Sequence, residues 1–347
     1  MRFAFLLISF LLIACSKETH SSLLNIDSSF LDLQGKRSPH WAYVNAATDN
    51  PTIELLEKLY RENRKRQFHP DSQTRVPKVL HCIWLGPKSF PSNSVKIMET
   101  WVKYHPDWKF KFWTDRKRPP PCKQFEVCLL TGNEMPLLHK FYDRAENWGE
   151  KSDYLRYEIL YREGGVYVDH DAEALRSFDN LNHAYDFYSA TEAPHVPVDD
   201  RAITVSIGLL GVRPHHPILK GCIEAVSGNW ARSDDNLDAW STVTRRSYIA
   251  MTQSCLKYLA KDGNQDIVFP ASYFFPSKYL PAFYSRHHYA TAWLKKDPVK
   301  LLKRQVHQLK MRIKHLSIVV YALLAIQILM RGGFVLLRQN LRVGKMD

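Results

Sequence analysis

Residues 151–175 read KSDYLRYEILYREGGVYVDHDAEAL. The first half has helical character and carries Asp153 and Arg156 three positions apart, which places both on one face. Gly164-Gly165 interrupts it as a turn. Val166-Tyr167-Val168 follows as a short β-branched and aromatic strand, and two carboxylates, Asp169 and Asp171, come at spacing two. In an extended segment residues i and i+2 point to the same side. Two like charges at one strand end repel unless a cation sits between them. A hard divalent ion bound through carboxylates, its shell completed by substrate phosphates, fits that pattern. Helix, turn, strand and acidic pair in this order point to an α/β fold with a ligand crevice at the strand's carboxyl end.

Working outward toward the N-terminus, Pro77–Leu85 (PKVLHCIWL) forms a compact apolar strand ending at the Gly86-Pro87 turn. Trp84 at its end is either rim packing or a platform for a flat base. Residues 94–104 are helical, and Trp108–Trp113 (WKFKFW) alternates as a half-buried strand does. Residues 135–162 are mostly helical, with Gly149 as a division. Beyond the carboxylates, 185–190 and 203–211 read as strands, and 217–226 and 245–260 as helices. The late segment FYSRHHYATAW (283–293) places His287 and His288 among aromatics, where either could add a metal ligand.

With 347 residues, 45% of them apolar, the chain can bury one large domain plus appendages. Its net charge of +13 resembles a nucleic-acid signal, but residues 295–347 hold twelve Lys or Arg against two Asp or Glu, a net +10. The remainder is near neutral, and no nucleic-acid-binding motif accompanies it. A basic segment beside an apolar run favours an anionic membrane surface. Residues 298–315 form a basic amphipathic helix, followed by the apolar run 316–330, or 316–337 if Arg331 is included. This tail either lies in the membrane interface or spans it. At the other end, Arg2 and the apolar stretch 3–14 make residues 1–15 a signal peptide or signal anchor, and Ala14-Cys15 matches a lipoprotein cleavage pattern. Between these lie a polar stem or lead-in, 16–74, with one helical stretch at 52–68, and the main α/β domain, 75–294, which carries the acidic pair. None of the six cysteines forms a CxxC pair, which speaks against structural zinc, while Cys122 and Cys128 could bridge a Pro-rich loop.

Together PKVLHCIWLG, HPDWKFKFWTD, SDYLRYEILYREGGVYVDHDAE and YSRHHYATAW resemble glycosyltransferase family 32 over residues 76–293. That family includes fungal α-mannosyltransferases and inositol-phosphoceramide mannosyltransferases, and is similar to the catalytic domain of the large clostridial glucosylating toxins. The resemblance implies a GT-A fold and a retaining transfer of a sugar, mannose favoured, from a GDP- or UDP-sugar to a glycan or glycolipid acceptor, with Mn²⁺ or Mg²⁺. It further implies that Trp84 contacts the base, Asp153 and Arg156 bind the donor sugar, and Tyr167 lines the donor site. Asp169 would touch ribose and metal-bound water, Asp171 would bind the metal, and His287 or His288 would complete the metal site. Two departures stand out: residues 242–247 (TVTRRS) lack the Gly-Pro pair common in the family, and Cys82 replaces a frequent Gln. Membrane association, in an exported or secretory-pathway setting, follows from the two ends of the chain. The rival reading is a catalytically silent sugar-nucleotide- or glycan-binding membrane protein.

Overall fold

The structure is a computed structural model that describes residues 28–65, 73–233 and 238–294, with residues 313, 316, 317 and 327 beyond. The chain divides into units of residues 1–294 and 295–347. The expected targeting segment, 1–15, and nearly all of the basic tail lie outside the described residues. Among the described residues no helix is long and apolar enough to cross a membrane.

The first unit is mixed α/β around an open seven-stranded sheet. Its strands are β1 (Val79–Ile83), β2 (Lys109–Thr114), β3 (Phe125–Leu129), β4 (Gly165–Val168), β6 (Phe187–Ala190), β7 (Leu209–Val212) and β8 (Asp266–Phe269), in the order β3-β2-β1-β4-β7-β6-β8. β7 alone runs against its neighbours; β1 pairs parallel with both β2 and β4, and β6 pairs parallel with β8. The central strands are covered on both faces, so β4, β6, β7 and β8 are buried throughout, as near-continuous apolar runs require. A separate two-stranded ribbon pairs β5 (Ala172–Ala174) with β9 (Ser285–His287), with Ala172 opposite His287.

The strands at 79–83, 109–114 and 187–190 and the helices at 92–104 and 217–231 lie where the apolar pattern puts them. The expected strand at 203–211 is continuous only from Leu209 to Val212; residues 204–206 pair with the end of β6 and the residues after it through a single antiparallel bridge, Thr191 with Val205. The helical stretch 135–162 divides at Ala145–Asn147, not at Gly149. There the Asn147 side chain accepts from the Gly149 N–H and caps the longer helix, Trp148–Glu163. The sequence pattern does not reveal β3, β5, β8 or β9; β5 and β9 have only three residues each, too few to show a period.

The expected stem also needs correction. Residues 46–63 form a helix built into the domain, with Ile53, Leu56, Leu59 and Tyr60 buried. The Tyr60 and Tyr273 hydroxyls share a hydrogen bond of 2.9 Å, Asn63 donates to the Asp266 carbonyl, and Asp49 accepts the N–H groups of Ala202 and Ile203. An outer face carrying Glu54, Lys58, Arg61 and Glu62 makes the segment look solvated, while one stripe at helical spacing covers the β8 side. Cys122 and Cys128 are free thiols, not a bridge.

The Gly164-Gly165 turn is set by close packing. Both glycines have positive φ, 65° and 99°. A Cβ on Gly165 would lie 2.6 Å from the Val79 carbonyl oxygen, and one on Gly164 2.7 Å from Pro214 Cδ. Buried His81 secures the turn from below. Trp113 Nε1–H can only donate, so it donates to His81 Nδ1 at 3.1 Å; the opposite nitrogen, Nε2–H, donates to the Gly164 carbonyl at 2.9 Å. Burial pushes this imidazole down to about 4, from 6.5, so it is neutral in the fold. The unfolded chain takes up a proton below about pH 6.5 and the fold does not until about pH 4. Stability is therefore intact above the upper value and falls between the two, by up to about 1.4 kcal/mol per pH unit. Thermal melts from pH 7 to 4.5 are expected to show this fall, with a shallower slope in His81→Gln; equal slopes would contradict it.

Candidate active site

β4 delivers its chain to the carboxyl edge of the sheet, where Asp169 begins a tight turn closed by the Ala172 N–H donating to the Asp169 carbonyl at 3.0 Å. The two carboxylates therefore converge through a turn and not through strand alternation. The Asp169 N–H donates to the Gly208 carbonyl at 2.8 Å, and a Cβ on Gly208 would meet Asp169 Oδ2 at 2.8 Å, so only glycine fits beside this carboxylate. The β5–β9 ribbon brings His287 to the same place. His287 Nε2 lies 3.3 Å from both Asp169 Oδ2 and Asp171 Oδ1. The other oxygen of each carboxylate is already engaged. Asp169 Oδ1 accepts from the Tyr167 hydroxyl at 2.7 Å, and Asp171 Oδ2 accepts the Ala290 N–H at 2.6 Å.

Asp169, Asp171 and His287 each turn one ligand atom into a space where all lie within 4.8 Å of one another. Two carboxylate oxygens and one imidazole nitrogen, with their remaining atoms fixed by hydrogen bonds, fit a hard divalent cation such as Mg²⁺ or Mn²⁺. His288 does not join them. Successive side chains on a strand face opposite ways, and His288 Nε2 lies 3.2 Å from Glu173 Oε2.

Arg156 organises the other side. It is 4% exposed, and its Nη1 donates to the Ile207 carbonyl at 2.7 Å. Its Nη2 donates to the Tyr167 hydroxyl at 2.9 Å and lies 3.1 Å from Asp153 and 3.3 Å from Asp169. Its guanidinium stacks 4.0 Å above the Tyr167 ring. The helix spacing that groups Asp153 with Arg156 is thus a buried pair and not a surface one. The two carboxylates flanking Arg156 differ in charge. Burial works to raise Asp169, but Arg156, His287 and Tyr167 outweigh it and hold the group down to about 2. For Asp153 burial dominates over Arg156 and Ser247, and the group is pushed up to about 7. His287 is raised: burial opposes its charge, and the two carboxylates outweigh burial.

Trp84 lies at the edge of this group in packed surroundings. It is 8% exposed, its indole N–H donates to the Lys88 carbonyl, and its ring meets Phe90 and His170 edge-on at 5.5 and 4.8 Å. His170, between the two carboxylates, faces away from them and bonds Ser94 Oγ through Nδ1 at 2.7 Å. It ties the acidic turn to the helix at 92–104.

Sequence reasoning misses Ser247. The 242–247 departure from the family pattern forms a short helix and then a π-turn, Thr244–Tyr248. Ser247 Oγ donates to Asp153 Oδ2 at 2.5 Å, and its carbonyl accepts from the Tyr157 hydroxyl. Such single π-turns often occur at functional sites, but nothing in the local composition announces one.

The comparisons with known proteins agree with the motif. Residues 91–188 match the family described as the glycosyltransferase sugar-binding region containing the DXD motif. An uncharacterized glycosyltransferase of Acanthamoeba polyphaga mimivirus is 29% identical over 145 residues, 41% of this chain and 52% of that one. Inositol phosphoceramide mannosyltransferase 3 of Schizosaccharomyces pombe is 26% identical over 177 residues, 51% of this chain and 42% of its relative. Among solved structures, the PaToxG glycosyltransferase is 17% identical, with a TM-score of 0.45, over 61% of this chain and 78% of that one. The chain spans about half the length of the relatives it matches first. The matched stretch, residues 91–188, contains the acidic turn and the Asp153–Arg156 pair.

Two outcomes test the geometry. Titration of Mn²⁺ by calorimetry is expected to show at least tenfold weaker binding in Asp171→Ala and in His287→Ala, and less than twofold change in His288→Ala. Arg156→Met leaves Asp153 and Asp169 without their buried cation, and chemical denaturation should register a loss of about 3–5 kcal/mol; a loss under about 1 kcal/mol would mean the cluster is not held by that charge.

Proposed function

We propose that the chain is a metal-dependent GT-A glycosyltransferase that moves a hexose, mannose first among candidates, from a nucleotide-sugar to a glycan or lipid-linked hydroxyl. One observation carries the reading: two carboxylates and a histidine converge at the carboxyl edge of an open sheet, and the two carboxylates lie inside the stretch, residues 91–188, that matches a DXD sugar-binding family. The mannose preference rests on the printed names of relatives, which include an initiation-specific α-1,6-mannosyltransferase of Candida albicans. The apolar N-terminal run supports export, and the basic tail supports attachment to an anionic membrane surface.

The chemical task is cleavage of the bond between the sugar's anomeric carbon and a diphosphate oxygen. A divalent ion held by Asp169, Asp171 and His287 would neutralise the charge gathering on that oxygen. Asp169 is already ionised by its surroundings and so needs no deprotonation to serve as a ligand. Arg156 keeps Asp169 and Tyr167 in one geometry before any donor arrives, so little reorganisation is left to the reaction. Asp153, buried one helical turn away, offers the donor sugar's hydroxyls a carboxyl near its titration midpoint at neutral pH. Trp84 borders the space for the base. In the retaining course that the family resemblance implies, the acceptor's proton passes to the departing phosphate oxygen.

Incubation with GDP-mannose, UDP-glucose, UDP-galactose and UDP-N-acetylglucosamine in Mn²⁺ should release nucleoside diphosphate from at least one of them. EDTA should stop the release, and Asp171→Ala should lower it by about 10³-fold or more while the melting temperature stays within a few degrees. Donor binding without turnover in the unaltered chain would favour a silent sugar-nucleotide-binding protein instead.

A further inference from the structure

The transferase reading accounts for the negative charge that leaves with the diphosphate. It does not account for the positive charge left behind on the sugar. When the bond to the anomeric carbon breaks, its electron pair departs with the phosphate oxygen. The ring carbon and ring oxygen stay electron-poor until the attacking hydroxyl or water donates a pair and gives up its proton to the departing phosphate. A fixed carboxylate facing the ring would stabilise this state more than the neutral donor.

Glu192 has the position and support for that task. It follows β6 by two residues, as Asp169 follows β4 by one, and these parallel strands leave the sheet at the same carboxyl edge. Only β7 lies between them, so two strand spacings, about 10 Å, separate the two acidic corners. The space between them is where a sugar attached to a diphosphate at Asp169 and Asp171 would project.

The residue is held firmly in place. Its backbone is pinned on both sides: the N–H donates to the Thr204 carbonyl at 3.1 Å, and the carbonyl accepts from Gln34 Nε2 at 2.7 Å. The Ser206 hydroxyl donates to its Oε1 at 3.0 Å, and Ser206 Oγ in turn accepts the Gly208 N–H at 3.2 Å. Gly208 is the residue whose carbonyl receives the Asp169 N–H. The Tyr248 hydroxyl is a further partner, and the negative field of Glu192 reaches His287 and Tyr289. Among the described residues no Lys or Arg closes an ion pair with it, so its charge is not spent on a neighbour. A third carboxylate beside Asp169 and Asp171 would repel a diphosphate, which argues that Glu192 faces the sugar.

We infer that Glu192 is a catalytic residue of the transfer, its carboxylate held by Ser206 against the donor sugar ring to stabilise the positive charge that develops there. This rests on the transferase reading. The test uses the full chain with Mn²⁺ and whichever sugar nucleotide it turns over, following nucleotide release to water at saturating donor, with donor affinity measured by calorimetry. Glu192→Gln, isosteric but uncharged, should lower the rate by about 10²-fold or more while the donor dissociation constant stays within twofold. Ser206→Ala, which frees the carboxylate without removing it, should lower the rate by a smaller factor with affinity again unchanged. A Glu192→Gln rate within threefold of the parent would overturn the inference. So would a loss of donor affinity as large as the loss of rate, which would make Glu192 a ground-state sugar contact. No release from the unaltered chain with any donor would overturn the transferase reading itself, and this inference with it.

Discussion

One buried guanidinium holds the site together. Arg156 carries a full positive charge in surroundings where an unpaired charge is prohibitive, and it meets that cost with Asp153, Asp169, the Tyr167 hydroxyl and the Ile207 carbonyl. Four separate pieces of chain are thereby fixed: the helix that carries Arg156, the strand that carries Tyr167, the acidic turn, and the approach to β7. The same charge acts on both acids with different outcomes. It holds Asp169 ionised, while at Asp153 burial outweighs it and raises the carboxyl to about 7. A lysine could not do this, since the contacts depend on separate nitrogens of a planar fork and on stacking over Tyr167.

The sheet supplies the platform that this charge needs. β4 is central, its turn is held by His81 and two glycines, and the loops that follow β4 and β6 open on one edge. Ligand crevices form at such edges because the strands end there while their helices turn away. The acidic turn, the Gly208 segment and Glu192 are then joined by a continuous chain of hydrogen bonds, so that a shift in one is felt by the others.

Much of this was legible in the residues. A helix ending in Gly-Gly, a three-residue apolar strand and two spaced carboxylates sufficed to place the α/β crevice. The Asp153–Arg156 spacing sufficed to place them together, though not to show that they are buried. The choice between His287 and His288 was not legible, because it depends on which face of β9 meets β5, a pairing between distant residues. The helix at 46–63 was misread because charged residues outnumber its buried stripe, and tertiary packing decides such cases. Ser247 and Glu192 were invisible for a related reason. Their importance comes from a π-turn and from strand order, neither of which leaves a local pattern in the chain.

The ribbon between β5 and β9 has a consequence for how the molecule matures. His287 and Asp169 are 118 positions apart, and nearly the whole domain must be made and folded before the short pairing between them can close. A ribosome that has completed the acidic turn has made only two of the three residues that converge there. The group of Asp169, Asp171 and His287 therefore assembles late, only once the β5–β9 ribbon closes.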